Sequence, residues 1–305
     1  GGATAISGTT TGFENLVGGS TTGDTITDST GNSTVAITGA NSGTIDGLAF
    51  SAIENLSLSN GDDTVTVTGS GSGVSLTGSL DLGDGTNSLT MNSSAGSIAS
   101  VTSGTGDDTF SISAGSVTGA VSAGDGTNTL TISGASSSIG SYTGGSGIDS
   151  ATLSGGYVGG ALSSGDGNDT VLINSTSSTI GGNLDLGAGT GDTLSYAGYG
   201  NAVSVTLTDI TSTSGSTAAG GATAISGTAA GIENLVGGSN TSDTVTDSTG
   251  DSTIVISGAN SGTIDGMAFS AIENLSLSTG IDGVTVSTGG ALSGNLSLGG
   301  GSSNT

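Results

Sequence analysis

The strongest constraint on this chain is a short mark that keeps returning along it: Asp or Asn, then Thr or Ser, then an apolar residue. The marks fall at Asp24, Asp63, Asn87, Asp108, Asn128, Asp149, Asp169, Asp192 and Asp243, and at Asp282 with Gly283 in second place. Successive gaps are 39, 24, 21, 20, 21, 20, 23, 51 and 39 residues. Taking 39 and 51 as double steps gives segments of about 22 residues throughout. A segment that short cannot bury its own apolar face, so neighbouring segments have to stack.

The composition allows this and little else. Gly supplies 62 of 305 residues, aromatic residues only 3%, and hydrophobic residues only 31%. Such a chain fills a thin core, not a broad one. Low hydrophobicity with high net charge is also the mark of disorder. The pattern argues against disorder, because alternations such as Thr64-Val65-Thr66-Val67-Thr68 and Thr129-Leu130-Thr131-Ile132 recur between Gly/Asp/Asn/Ser clusters, as strands recur between turns. Gly and β-branched residues disfavour helices. A β-sandwich would not demand a beat of about 21 residues. The expected fold is therefore all-β, a parallel β-solenoid (β-helix) with coils of about 20–24 residues, running as one continuous solenoid over 1–305. Leu89, Phe110, Leu130, Ala151, Val171 and Leu194 should form an inward column, flanked by outward Thr and Ser.

A longer period contains the short one. Residues 1–60 return at 220–279, a period of 219, with 48 of 60 positions identical. The long repeat thus spans 1–219, with a partial second copy over 220–305. Phe13 becomes Ile232, Ile26 becomes Val245, Val35 becomes Ile254 and Leu48 becomes Met267, each swap keeping an inward apolar side chain. Thr10 to Ala229, Thr21 to Asn240 and Asn32 to Asp251 read as solvent-facing.

The formal net charge is −25, with no Lys, Arg or His. Nucleic acid is excluded as a partner, because phosphate contacts need Lys or Arg, and an anionic membrane surface is excluded for the same reason. No apolar run approaches the roughly 20 residues of a membrane-spanning helix, so no membrane insertion is expected. Without side-chain cations the acids must be spread out, screened, or bridged by divalent ions. The chain has no Cys, so no disulfide braces it. It opens within a repeat, as a mature chain or a window from a longer one would. The absence of Lys and Arg removes trypsin-type cleavage sites, which suits an extracellular setting.

The turns before the marks carry the candidate chemistry. They read Gly83-Asp84-Gly85-Thr86-Asn87, Gly104-Thr105-Gly106-Asp107-Asp108, Gly124-Asp125-Gly126-Thr127-Asn128, Gly145-Ser146-Gly147-Ile148-Asp149 and Gly165-Asp166-Gly167-Asn168-Asp169. Good turn formers at these positions need no further role. With Gly144 in front, Gly144 to Thr152 fits a glycine-rich nonapeptide that resembles RTX calcium-binding repeats. The resemblance implies Ca2+ held by backbone carbonyls and carboxylates, with Asp84, Asp107, Asp108, Asp125, Asp149, Asp166, Asp169 and Asp192 as candidate ligands. The chain departs from that pattern: Leu82, Ser103, Ala123 or Ser164 replaces the first Gly, Asn stands at 87 and 128, and Gly187-Ala188-Gly189-Thr190-Gly191-Asp192 carries an extra residue. Stacked carboxylates about 5 Å apart repel, and the order Asn87, Asp108, Asn128, Asp149 relieves that repulsion without metal.

All four Glu residues lie in one motif, Glu-Asn-Leu, at Glu14, Glu54, Glu233 and Glu273. The motif reads as a corner whose Asn bonds neighbouring backbone. No His or Cys is present as base or nucleophile, and no cation to steady an oxyanion. Carboxylate pairs are all that remain for catalysis, and no enzyme is expected. The Thr-apolar-Thr runs would also suit an ice-binding face, although Thr columns are ordinary sheet surface.

Together the Glu-Asn-Leu corners, Gly-x-Gly-x-Asp/Asn turns and Thr/Ser-rich strands resemble the repeat regions of bacterial secreted proteins: haemagglutinin-like adhesins, RTX-like adhesins and Gly/Thr-rich surface-layer proteins. The resemblance implies a secreted, cell-surface location. The expected function is a structural fibre or stalk whose partners are copies of itself and surface glycans. The alternatives are a calcium-binding surface-layer or adhesin module and an ice-binding or polysaccharide-active solenoid.

Overall fold

The computed structural model describes residues 12, 14–29, 31–69, 73–210, 217–301 and 303–305. Among these every regular element is a β-strand. The opening Gly1–Gly8 of the long repeat, Thr10 and Phe13 lie outside the described residues. The chain divides into two compact units between Ser146 and Gly147.

In the first unit, strand Thr64–Val67 pairs in parallel with Ser88–Thr102, which pairs with Thr109–Gly124, which pairs with Thr129–Ile132. The register aligns Val65, Leu89, Phe110 and Leu130, each 0% exposed. The expected column is present here. Two further buried rows run beside it: Leu76, Ile98, Val117 and Ile139, and Leu80, Val101, Val121 and Tyr142. Burying side chains of this size stabilises by about 1.5–3 kcal/mol each, so the rows bind the strands together. Thr109 and Thr129, just before the apolar positions, are exposed, and Ser111 and Thr131, between them, are half-buried. Residues 88–102 and 109–124 each form one long strand bent at bulges. Gly115 marks one bend, with φ +83, where an added Cβ would press on the carbonyl oxygens of Ser93 and Gly96.

The second unit repeats the scheme. Ala151, Val171, Leu194, Leu235 and Phe269 align in one parallel row, and Leu162, Leu184 and Ala229 in another. Ala229, expected to face solvent, is 1% exposed. It occupies an apolar row position opposite Leu184, where a small side chain fits.

The wide gaps between marks are not double steps. Thr25–Thr27 pairs with Asn55–Ser57 and Thr34–Gly39 with Thr64–Val67, both 30 residues apart. The surplus residues fold back as an antiparallel meander of Thr34–Gly39, Ser42–Ile45 and Leu48–Ser51. Asp46 and Gly47, with φ 48 and 82, make the second turn of the meander, the left-handed pair that a tight hairpin requires. Residues 253–270 repeat the same meander in the second unit, with Asp265 and Gly266 in the turn. The 51-residue gap holds a hairpin of Ser204–Ile210 with Thr217–Ala222.

Candidate functional site

The marks stand where a turn enters a strand, and there the first backbone N–H has no partner in the sheet. A side chain from the next segment supplies one. In the first unit, Asp63 Oδ1 accepts the Ser33 N–H at 2.6 Å, Asn87 Oδ1 the Asp63 N–H at 3.0 Å, Asp108 Oδ1 the Asn87 N–H at 2.8 Å, and Asn128 Oδ1 the Asp108 N–H at 3.0 Å. In the second unit, Asp169 Oδ1 accepts the Asp149 N–H and Asp192 Oδ1 the Asp169 N–H, both at 2.7 Å. Each ladder is buried along its length.

Glutamate enters the same ladder. Glu54 Oε2 accepts the Asp24 N–H at 3.0 Å, Glu233 Oε2 the Asp192 N–H at 2.9 Å, and Glu273 Oε2 the Asp243 N–H at 3.0 Å. Sequence reading missed this role. The signal was there, since Glu-Asn-Leu is a mark with Glu for Asp and Asn for Thr. The Asn of the motif does bond neighbouring backbone: Asn55 Oδ1 accepts the Ser79 N–H at 2.9 Å, and Asn274 Oδ1 the Asn295 N–H at 2.9 Å.

Asp and Asn differ at their second atom. Asn87 Nδ2 donates to Gly83 O and Gly85 O at 3.2 and 3.3 Å, and Asn128 Nδ2 to Gly124 O and Gly126 O at 3.0 and 3.4 Å. In Asp63, Asp108, Asp169, Asp192 and Asp282 the second oxygen is buried without a hydrogen-bond partner. Burial accordingly pushes the Asp63, Asp108, Asp192 and Glu233 carboxyls above their ordinary range, and Asp169 up to about 6. Glu54 moves the other way, held down chiefly by the Gly23 N–H.

The eight candidate ligands separate into two sets. Asp108, Asp149, Asp169 and Asp192 are buried in the ladders. Asp84, Asp107, Asp125 and Asp166 lie on the outer turns, exposed or half-buried. There Asp84 Oδ1 accepts from the Thr105 N–H and hydroxyl, Asp125 Oδ1 from those of Ser146, and Asp107 Oδ1 from the Thr127 N–H. These bonds hold Asp84 and Asp125 below the usual carboxylate range. In the first unit each outer acid is followed, one segment on, by Thr or Ser, so like charges in a row are two layers apart. Among the described residues no three acidic side chains converge to hold a metal ion, whereas Ca2+ gathers six to eight oxygens. The carboxylates here are engaged by N–H and hydroxyl donors one layer away, an arrangement that fastens segments together.

A depression of about 720 Å³ in the second unit is open and lined by hydroxyls with Asp209, Asp251 and Asp265. Among the described residues no helix is long and apolar enough to cross a membrane. Comparison with protein-family models, with curated proteins and with solved structures returned no match.

Proposed function

We propose that this chain is a structural segment of an extracellular fibre or stalk, each of its two units a parallel β-solenoid, with copies of itself as partners. The observation that carries the reading is the in-register pairing, within each unit, of marks 20–24 residues apart, fastened by buried side chain-to-backbone bonds. Stacks of this kind grow by nearest-neighbour contacts alone. They need no broad core, which the composition could not provide. The outer surface is Thr, Ser and spaced Asp without a single side-chain cation, which keeps such a stack soluble and indifferent to nucleic acid.

Electron microscopy and fibre diffraction test it. The expected outcome is slender filaments with a reflection near ~4.8 Å along the filament axis. Isolated compact particles at every concentration would rule out the fibre.

A further inference from the structure

Glu54, Glu233 and Glu273 all enter the ladders, and they differ at the second oxygen. Each accepts a strand-entry N–H at Oε2, from Asp24, Asp192 and Asp243 respectively, at 2.9–3.0 Å. Oε1 of Glu54 accepts from Asn41 Nδ2 at 2.9 Å, and Oε1 of Glu273 from Asn260 Nδ2 at 2.8 Å. Asn41 and Asn260, with φ 47 and 51, stand in the first turn of each meander, 13 residues before their glutamates. At the same interval before Glu233 the sequence has Gly220 in place of Asn. What lies beside Glu233 is the carboxyl of Asp192, within hydrogen-bonding reach.

Asp192 and Glu233 lead into two strands that pair in parallel, Thr193–Ser195 and Asn234–Val236. The two strand entries are bonded in both directions. The Asp192 N–H donates to Glu233 Oε2 at 2.9 Å, and the N–H groups of Glu233 and Asn234 donate to Asp192 O at 3.1 and 2.8 Å. Asp192 is 0% exposed and Glu233 7%. Asp192 Oδ1 accepts the Asp169 N–H at 2.7 Å, while its Oδ2 has no donor. The other charged groups facing the pair are Asp169 and Asp185, both acidic, and the chain has no side-chain cation to offset them. Two buried carboxylates in contact repel when both are ionised. One proton turns that repulsion into a short, charge-assisted bond.

We propose that Asp192 and Glu233 share one proton between their carboxyls, and that this proton clasps the entries of strands Thr193–Ser195 and Asn234–Val236, which fray when it leaves. The proton comes from water and returns to it, with no other bond made or broken. With the proton the pair carries one negative charge, and without it two. Burial first, and for Glu233 then the Asp192 charge, raise both carboxyls above their ordinary range, in agreement with this assignment. Raised folded values mean that the stabilisation is complete below the ordinary carboxylate range and is lost as pH rises through the raised values. Glu54 is the internal control, because the Gly23 N–H above all holds its carboxyl down and the Asn41 amide already supplies a donor. The clasp lies within one unit of one chain, so it operates with or without filament assembly.

The test is residue-resolved hydrogen exchange on the whole chain, corrected for intrinsic rates, at about pH 5 and about pH 8. Protection of the Asp192, Glu233 and Asn234 amides should fall about tenfold or more between the two, while that of the Asp24 amide, which donates to Glu54, should hold. Glu233→Gln keeps an acceptor for the Asp192 N–H and brings an amide donor to the Asp192 carboxyl, so its protection should be equal at both values. Equal protection of the wild type at both values overturns the proposal, as does an equal fall at the Asp24 amide, which marks general loosening. A fall that persists in Glu233→Gln belongs to Asp169 and overturns it too. So does protection at the higher pH that appears only with added Ca2+, since the occupant is then a metal ion. Should the variant fail to fold, the carboxyl carbon shifts of wild-type Asp192 and Glu233 decide. Both should move together in two steps, and independent titration of each at its ordinary value overturns the proposal.

Discussion

The buried ladders of the two units share a geometry and differ in charge. In the first unit Asp63, Asn87, Asp108 and Asn128 alternate acid with amide. In the second, Asp149, Asp169, Asp192 and Glu233 follow one another with no amide between them. Both satisfy the strand-entry N–H groups equally well, so the backbone requirement does not distinguish Asp from Asn. The second atom does. Where amides alternate, half of the positions donate to turn carbonyls, and neighbouring charges are two layers apart, about 9–10 Å, near the screening length of physiological salt. Where acids are consecutive, burial first, and then the charges of Asp149 and Asp192 on either side, raise the Asp169 carboxyl to about 6. Alternation thus keeps the ladder acids from being direct neighbours, while burial alone still raises Asp63 and Asp108.

The largest expected effect comes from destroying that alternation. Asn87→Asp places three acids in succession at 63, 87 and 108 and removes two amide donors, and it should destabilise the first unit by about 2–4 kcal/mol at neutral pH. Chemical denaturation at pH 7 and at about pH 4 checks it, and the loss should shrink in acid as the new carboxyl protonates. The converse change, Asp169→Asn, gives the second unit an amide between Asp149 and Asp192. It should stabilise by about 1–3 kcal/mol at neutral pH and by almost nothing below about pH 4, where the wild-type acid is already neutral.

The wild type carries the same signature. Because the folded form of Asp169 holds its proton up to about 6, its contribution is fully present below the unfolded value near ~3.9 and is lost as pH rises through about 6. Melting temperature should therefore climb as pH falls from about 7 to about 5. A melting temperature that drops steadily over that interval would contradict the charge assignment of the ladder. The smallest effect belongs to the outer row. Asp125→Asn keeps an acceptor for the Ser146 N–H and removes an exposed charge, so its shift in melting temperature should be below those of both ladder variants. Removing divalent cations with a chelator should leave the melting curve in place, since the ladder carboxylates bond N–H groups one layer away.

Much of this was legible from residue spacing. The mark-to-mark alignment of Leu89 with Phe110 and Leu130, and of Val171 with Leu194, follows from a beat near 21 residues and the need to bury a thin apolar face. The inserted meanders escaped the spacing because 39 looks like a doubled beat. Asp46-Gly47 and Asp265-Gly266 were the local signal for a hairpin, since few pairs accept two left-handed residues in succession. The division of the candidate acids into outer and buried sets was not legible. Asp107 and Asp108 are adjacent in sequence, yet one is exposed and the other is 1% exposed, because successive residues entering a strand point to opposite sides.

By itself the sequence determined that this chain is all strand and turn, that like residues meet across a parallel sheet, and that no cation balances its acids. Those conclusions follow from period, propensity and composition, which are local quantities. Only the tertiary structure decided which carboxylates are buried, that Glu54, Glu233 and Glu273 serve as ladder members, and that Asp46 and Asp265 tie the meander turns to Thr34 and Thr253. Each depends on which backbone N–H a side chain reaches one layer away, and that distance is set by packing.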